Sequence, residues 1–339
     1  MKICIYGAGS IGCYVGGRLA AAGGDVTFIT RPHTYAELSS SGLKLTDYLA
    51  HEIHLAPQLL KLSLDPIAVR DADIIFVCVK SSATEQVALE LFENLGTHSP
   101  YIVSFQNGLN NVPILKKILP QLTILEGMVP FNVANLGQGH FHQGTSGAIH
   151  VKQFLAQDQL LDIFKKAQLD IIFDQDMLSV QWAKILLNLN NSINALSKRP
   201  LKQQLSIHKY RQCLALAQRE TLDLLKLAQI HPAQLTTISA QHVPKILDLP
   251  DFIFKILSKK MLDIDPLARS SMQDDLLAGR KTEIDWINGE VVLLAQHLGK
   301  SAPINECLIK LIKQAEVSEK EFSMDANTLI KQLKNELKL

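Results

Sequence analysis

Short apolar runs closed by turn residues fill the first half of the chain, and from residue 177 onward the apolar positions repeat with helical spacing. Residues 2–6 read as a fully buried strand, followed by a glycine-rich turn at 7–12 and a helix at 13–22 that Gly23-Gly24 stops. A second strand covers 25–30, and 33–56 holds a helix and short strands. Residues 73–79 (DIIFVCV) form a buried strand of the parallel type that ends at Lys80, with a helix after it at 84–95. The strand at 101–105 delivers Gln106-Asn107-Gly108 at its carboxyl end. Further strands are expected at 122–128 and 148–151, on either side of a loop at 129–147, and a last short one at 171–173.

In the second half, 180–196 (VQWAKILLNLNNSINAL) has the length and composition of a buried helix, yet it carries one lysine and several amides. On a helical wheel Lys184, Asn188, Asn191 and Ser192 share a strip, and Ile185, Leu186, Leu187 and Leu189 cover most of the rest. A solvated helix face usually carries several charges. Amides and a hydroxyl around a single ammonium suit instead a site that hydrogen-bonds a small oxygen-rich molecule. A buried lysine needs such a molecule, or a carboxylate, to offset its desolvation. A long helix lies within 203–230, interrupted by Glu220 and ended by His231-Pro232. Residues 244–259 read as an apolar, hairpin-like connection. A single bent helical segment would bring Ser271 and Glu283, about three and a third turns apart, to one cleft. Amphipathic helices at 306–316 and 328–337 close the chain.

Hydrophobic content of 47% with 20% charge is ordinary for a soluble globular protein, and 339 residues are enough for two domains. A net charge of +1 with unclustered basic residues gives no electrostatic case for nucleic acid or a membrane surface, which leaves small molecules as partners. The N-terminus enters a strand pattern without a signal peptide's basic start, and no run approaches 18 apolar residues, so the expected location is cytoplasmic. Cys4, Cys13, Cys78, Cys213 and Cys307 lie mostly in apolar segments and form no CxxC pair, as core residues in a reducing compartment do. His140, His142 and His150 have no Cys or carboxylate neighbours, which fits a turn or edge strand, and no metal is expected.

The turn at 7–12 is GxGxxG between a first strand and a helix, the setting that gives the pattern meaning. The first glycine allows a tight turn, the second lets backbone approach a pyrophosphate, the third lets helix pack on strand, and the helix N-terminus faces the anion. Gly7, Ala8, Gly9, Ser10, Ile11 and Gly12 are therefore candidates for holding a dinucleotide. An NAD-binding unit places Asp or Glu at the end of the second strand, where this chain has Thr30-Arg31. An acid there would repel a 2′-phosphate and an arginine can clamp one, so the expected cofactor is NADP(H), with Arg31 as a contact. Carboxyl ends of strands in an open α/β sheet form the ligand crevice, which makes Lys80 and Asn107 site candidates. The fold expected is α/β: an N-terminal Rossmann-type doubly wound sheet that binds NADP over 1–175, followed by an all-α C-terminal substrate and catalytic domain over 176–339.

GAGSIG at 7–12, VCVK at 77–80, Gln106-Asn107-Gly108, Lys184 with Asn188, and SSMQD at 270–274 before KTEID at 281–285 together resemble the ketopantoate reductase (2-dehydropantoate 2-reductase) family over nearly the whole chain. The SSMxxD and TEIDxxxG segments are the most specific parts, since GxGxxG is shared by many enzymes. The resemblance implies a Rossmann domain and a helical domain with the active site between them. It also implies NADPH as hydride donor and reduction of 2-dehydropantoate to pantoate on the route to coenzyme A. By the same resemblance residues 7–12 and Arg31 hold NADPH, Lys80 lies on its adenosine side, and Asn107 sits near nicotinamide and substrate. Lys184 is then the proton donor, Asn188, Ser192 and Ser271 bind substrate, and Glu283 contacts the cofactor ribose.

Two departures bear on the substrate more than on the reaction. The family often has a second asparagine where this chain has Ser192, with Asn191 next to it. The loop at 129–147 differs from the commoner Thr-rich form, and Leu201 replaces a polar residue. Ketone reduction needs charge on the carbonyl oxygen neutralised as it develops, and a positioned ammonium both stabilises that charge and gives up a proton. A Ser192→Ala change is expected to raise KM more than it lowers kcat. The alternatives are a reductase of another 2-oxo acid on the same plan, or a protein that senses NADPH without turnover. Retention of both Lys184 and Glu283 speaks for an enzyme. An exposed apolar face on the second domain would favour a homodimer.

Overall fold

Strands that are apolar on both faces organise the first of two units, Met1–Met177 and Leu178–Leu339, in a computed structural model that describes residues 1–257, 268–318 and 322–337. The first unit begins with β1 (Lys2–Tyr6), α1 (Ser10–Ala21), β2 (Asp25–Ile29), α2 (Pro32–Ser41), β3 (Leu43–Asp47), β4 (Glu52–Leu55) and β5 (Lys61–Ser63). It continues through β6 (Ile74–Val77), α3 (Thr84–Leu95), β7 (Tyr101–Ser104), α4 (Asn111–Ile118) and β8 (Ile124–Met128). β9 (Val133–Gly137), β10 (His140–Gln143), β11 (Ile149–Lys152), α5 (Gln157–Lys166) and β12 (Ile171–Asp174) complete it.

The main sheet has the order β12-β11-β8-β7-β6-β1-β2-β5, parallel throughout except where β8 meets β11. Ile3 and Ile5 of β1 and Ile74 and Phe76 of β6 point to one core, shared with Tyr14, Val15 and Leu19 of α1 and Phe164 of α5. Cys4 and Tyr6, and Ile75 and Val77, point to a second core under Val87 and Leu91 of α3 and Leu115 of α4. Helices on both faces make the sheet doubly wound, and covering both faces is why its strands read as unbroken apolar runs. Phe76 stacks on Phe105 at 4.8 Å and meets Phe164 edge-on at 6.2 Å. Burying a side chain of that size stabilises the fold by about 1.5–3 kcal/mol.

The segment 129–147, expected as a loop, is instead a hairpin, β9 and β10, in a second sheet of order β4-β3-β10-β9. Its turn, Gly137-Gln138-Gly139, takes positive φ at all three residues. β10 pairs with β3 on one side and β9 on the other, so His140 and His142 lie on an inner strand and not at an edge. The alternation is faint because Phe141 is the one large apolar side chain that β10 buries, while Ala134, Asn135 and Leu136 of β9 are exposed. His140 Nε2 and His142 Nδ1 each lie 2.8 Å from the Thr46 hydroxyl. Among the described residues no group of three or more His, Cys, Asp or Glu is placed to hold a metal ion.

Every regular element among the described residues of the second unit is helical: α6 (Met177–Asn188), α7 (Asn190–Ser197), α8 (Leu201–Ser206), α9 (His208–Leu227) and α10 (Val243–Leu247) come first. α11 (Asp251–Leu257), α12 (Ser271–Leu277), α13 (Asn288–His297), α14 (Pro303–Val317) and α15 (Ala326–Glu336) follow. The stretch 244–259 is thus helical where a hairpin-like connection was expected, and its last two positions lie outside the described residues. Arg211 explains it. Fully buried in α9, its guanidinium donates to the carbonyls of Leu205, Leu247 and Leu249, pairs with Asp251 at 2.8 Å and lies 4.0 Å from the centre of the Phe254 ring. A cation on the last carbonyls of short helices completes their hydrogen bonding and opposes the helix dipole. Glu220, the polar interruption in α9, accepts from the N–H groups of Ile304 and Asn305 and so caps α14. No described helix is long and apolar enough to cross a membrane.

Candidate active site

In the first unit the candidate residues leave the same edge of the sheet, the carboxyl ends of four neighbouring parallel strands, β7, β6, β1 and β2. After β1 the chain turns at Gly7, with φ +99°, and the N–H groups of Gly7 and Ala8 both reach the Ile29 carbonyl, at 3.0 and 3.1 Å. A Cβ on Gly7 would lie 2.9 Å from the Val79 nitrogen, and one on Gly12 would lie 2.4 Å from the Gly7 carbonyl oxygen. Glycine at both positions therefore lets α1 start this close to β1 and β6. Gly9 is different: a Cβ there would meet nothing within 4 Å. That open space adjoins the first turn of α1, which begins at Ser10 and Ile11 with no side-chain cap and no acidic residue. Uncapped amides at the positive end of a helix attract an anion, so these residues fit a dinucleotide pyrophosphate.

Beyond β2, Thr30 is buried and gives its N–H to the Ser63 carbonyl at 3.0 Å. Arg31 follows, exposed, with extended backbone ahead of Pro32, and its guanidinium forms no ion pair among the described residues. Lys80 leaves the end of β6, partly buried, just before a turn of 3-10 helix at Ser81–Ala83. Asn107 follows β7 in a turn where Gly108 has φ +89°. Behind it sits a polar group that the sequence reading did not assign. Ser81 and Asn111 both donate to the Asn107 carbonyl, at 3.0 and 2.6 Å, and Thr84 and Gln106 complete the cluster. The signal available was a run of small polar residues at the ends of otherwise apolar strands.

In the second unit the one helix expected at 180–196 is two, α6 and α7, interrupted at Leu189. Leu189 keeps right-handed helical angles and its N–H still reaches the Ile185 carbonyl at 2.9 Å, so the winding carries through. Asn188 and Asn191 then lie within about 40° of Lys184 around the helix, and Ser192 about 80° away. Ser192 is fully buried and donates its hydroxyl to the Leu189 carbonyl at 3.1 Å. Asn191 is partly exposed, and its side-chain amide makes no hydrogen bond among the described residues. The other two amides are structural. Asn190 pairs reciprocally with Gln204 at 3.1 and 3.0 Å, and Asn194 bridges the Arg199 carbonyl and the Ser270 N–H.

Ser270 accepts from the Gln273 N–H and donates to the Asn191 carbonyl, so it joins α12 to α7, and Met272 anchors the helix in the core. Ser271 is the exposed first residue of α12. The bent helix expected to run on to Glu283 ends earlier. Gly279, at φ +63°, closes it, and the Arg280 N–H returns to the Asp275 carbonyl at 2.8 Å. Glu283 stands on a separate element, before a 3-10 turn at Ile284–Trp286. Thr282 fixes that turn by giving both its N–H and its hydroxyl to Glu316 at 2.7 Å, and Ile284 is buried, which accounts for the residues on either side of Glu283. Lys184 keeps part of its side chain accessible, yet burial pulls its ammonium pKa down to about 8.

Family profiles decide what kind of protein carries these two groups of residues. The profile for ketopantoate reductase PanE/ApbA matches residues 3–155, and that for the ketopantoate reductase PanE/ApbA C terminal matches 176–316. The chain belongs to the ketopantoate reductase family. The 2-dehydropantoate 2-reductase of Pyrococcus abyssi is 27% identical over 332 residues, covering 94% of this chain and 99% of its own. That of Archaeoglobus fulgidus is 24% identical, covering 93% and 98%. The solved ketopantoate reductase of Ralstonia eutropha is similar at a TM-score of 0.78 and 26% identity, over 93% of this chain and 98% of that one. A D-mandelate dehydrogenase solved with NADH and anilino(oxo)acetate shares the fold, at a TM-score of 0.75 and 20% identity over 93% and 98%. The ketopantoate reductase family is one of NAD(P)H-dependent oxidoreductases, and this chain has its α/β sheet and its helical C-terminal region.

Proposed function

We propose that the protein reduces 2-dehydropantoate to pantoate with NADPH, in the cytoplasm, as a step toward pantothenate and coenzyme A. The observation that carries this reading is Lys184, a single ammonium with its pKa drawn to about 8, on a helix strip with Asn188 and Asn191. When bound, the nicotinamide supplies the hydride. As charge develops on the carbonyl oxygen, the Lys184 ammonium stabilises it and transfers a proton. A pKa near 8 keeps most Lys184 charged at neutral pH and still makes proton loss easy. Asn188, Asn191 and the Ser271 hydroxyl offer donors and acceptors to the substrate carboxylate and hydroxyl without adding a second fixed charge.

The turn at 7–12 holds the pyrophosphate through the N–H groups of Ser10, Ile11 and Gly12 at the start of α1, since those of Gly7, Ala8 and Gly9 are bonded to the Ile29 and Gly7 carbonyls. Arg31 holds the 2′-phosphate, Lys80 the adenosine side and Glu283 the ribose near the substrate, with Asn107 toward the nicotinamide. The mandelate dehydrogenase neighbour was solved with NADH, so the preference for NADPH rests on this chain's own Thr30-Arg31. A homodimer is part of the reading. It is supported by a fold neighbour, the Staphylococcus aureus ketopantoate reductase, described as dimeric, and sedimentation of the purified protein tests it. One observation favours a second reading, another 2-oxo acid as substrate: Ser192, where the family often has asparagine, spends its hydroxyl inside the helix.

The test is oxidation of NADPH and NADH with a panel of 2-oxo acids that includes 2-dehydropantoate. The highest kcat/KM is expected for 2-dehydropantoate with NADPH. A higher value for another acid replaces the substrate. No turnover across the panel by folded protein that binds NADPH overturns the enzyme reading.

A further inference from the structure

The polar cluster behind Asn107 is closed to solvent: Ser81, Thr84, Ser104, Gln106 and Asn111 are each at most 8% exposed. Its hydrogen bonds run in sequence. Ser104 donates to Gln106 Oε1 at 3.0 Å, Gln106 Nε2 to the Thr84 hydroxyl at 2.8 Å, and the Thr84 hydroxyl lies 2.6 Å from Asn111 Oδ1. Asn111 Nδ2 then donates to the Asn107 carbonyl at 2.6 Å and to the Ser81 hydroxyl at 3.2 Å, and Ser81 itself donates to the Asn107 carbonyl at 3.0 Å. The network joins the turn after β6 to the turn after β7, and two of its donors converge on one backbone acceptor.

A buried network of this kind adds little net stability over an apolar core of the same shape, because each bond replaces one made to water. What it adds is a single geometry. Two donors on the Asn107 carbonyl fix the peptide plane between Asn107 and Gly108, and with it the direction in which the Asn107 side chain leaves the backbone. We propose that Asn111 is a positioning residue: with Ser81 it clamps the Asn107 carbonyl, sets the orientation of the Asn107 side chain, and so sets the pose in which the nicotinamide is held for hydride transfer. This rests on the reading of Asn107 given under the proposed function.

Asn111→Asp tests it, since the variant has nearly the same shape and keeps an acceptor for Thr84 but turns a carboxylate oxygen, in place of the N–H donor, toward the Asn107 carbonyl. Two readouts are taken with the intact protein. One is single-turnover reduction of 2-dehydropantoate by NADPH and by NADPH deuterated at the transferred position. The other is the fluorescence of bound NADPH, which reports the surroundings of the nicotinamide without turnover. The rate is expected to fall on the order of tenfold to a hundredfold, with a changed isotope effect and changed bound-cofactor emission, and with little change in the NADPH Kd. A merely structural role would lower Tm and the active fraction and leave the isotope effect and the emission at their wild-type values, and that result overturns the proposal. If Asn111→Asp does not fold, Ser81→Ala, which removes one of the two donors, is measured the same way and decided by the same two outcomes. If the wild-type protein reduces no 2-oxo acid, the functional reading fails separately and the emission alone decides the positioning claim.

Discussion

In the proposed reading the glycine turn of the first unit meets its ligand with backbone, whereas α6 and α7 of the second meet theirs with side chains on a helix. At residues 7–12 the available groups are N–H donors of a helix start, and the side chains matter by being absent: a Cβ at Gly12 would strike the Gly7 carbonyl, and one at Gly9 would occupy open space. Along α6 and α7 the backbone is already bonded, and what faces outward depends on which way each amide or hydroxyl turns. Backbone sites are set by local conformation and carry over from one chain to the next as a motif. Side-chain sites depend on what packs behind them, as Asn190, Asn194 and Ser192 demonstrate by facing inward.

The contrast breaks most visibly at Lys184, where one side chain is asked to supply the acid. Lys184→Ala is expected to lower kcat by roughly 10²–10⁴ with NADPH binding nearly intact. Lys184→Arg should not restore the rate, because a guanidinium does not give up its proton. A stable Lys184→Ala protein with normal turnover rules the acid out. The pH dependence follows in sign. The acid must be charged, so kcat/KM falls as pH rises through about 8. Stability moves the other way: the folded pKa of about 8 lies below the ordinary 10.5, the unfolded chain binds more protons between them, and stability rises with pH across that window. Urea unfolding at several pH values checks the second part.

On the backbone side, Gly12→Ala should destabilise the protein by about 1–3 kcal/mol through overpacking, read as a lowered Tm. Gly9→Ala should leave Tm unchanged and weaken NADPH binding, since Gly9 already has ordinary backbone angles and open space beside it. Wild-type NADPH affinity in Gly9→Ala would show that no ligand approaches there. Arg31→Ala probes one of the three side chains, with Lys80 and Asn107, that the proposed reading adds to the backbone site of this unit. It should cost about 1–3 kcal/mol of NADPH affinity and leave NADH unaffected, and equal losses for both cofactors would remove Arg31 from the 2′-phosphate.

How far each part could be read from residues alone follows from the same contrast. The doubly wound sheet was legible because Ile3, Ile5, Ile74 and Phe76 and their neighbours are buried on both sides, which leaves a plain apolar run. The β9–β10 hairpin was not, because its pairing depends on β3, far away in sequence, and β10 buries a single large apolar residue. Arg211 on α9 takes the Leu247 carbonyl at the end of α10 and the Leu249 carbonyl after it, and pairs with Asp251 at the start of α11, contacts that no local spacing records. The Asn107 clamp was hidden for a similar reason: Thr84 and Asn111 are 27 residues apart and meet only once β6 and β7 pair and α3 packs beside α4.

Asn191 and Ser192 give the smallest expected effect and the sharpest test of side-chain facing. A wheel drawn on residue numbers tolerates both on the Lys184 strip, but a serine in a helix has an alternative partner, a carbonyl one turn back, and Ser192 takes it at 3.1 Å. With that hydroxyl bonded and fully buried, we propose Asn191 in its place as the substrate contact, since its backbone is held by Ser270 and the residue is partly exposed. Asn191→Ala should raise KM for 2-dehydropantoate roughly fivefold to tenfold, about 1–1.4 kcal/mol for one lost hydrogen bond, with kcat little changed. Ser192→Ala should leave KM alone and alter stability by less than about 1 kcal/mol, because the Leu189 carbonyl loses an added donor and no buried group is stranded. The opposite pattern, a raised KM in Ser192→Ala beside a neutral Asn191→Ala, would mean that the hydroxyl leaves its helix carbonyl when substrate binds, and would return the contact to Ser192.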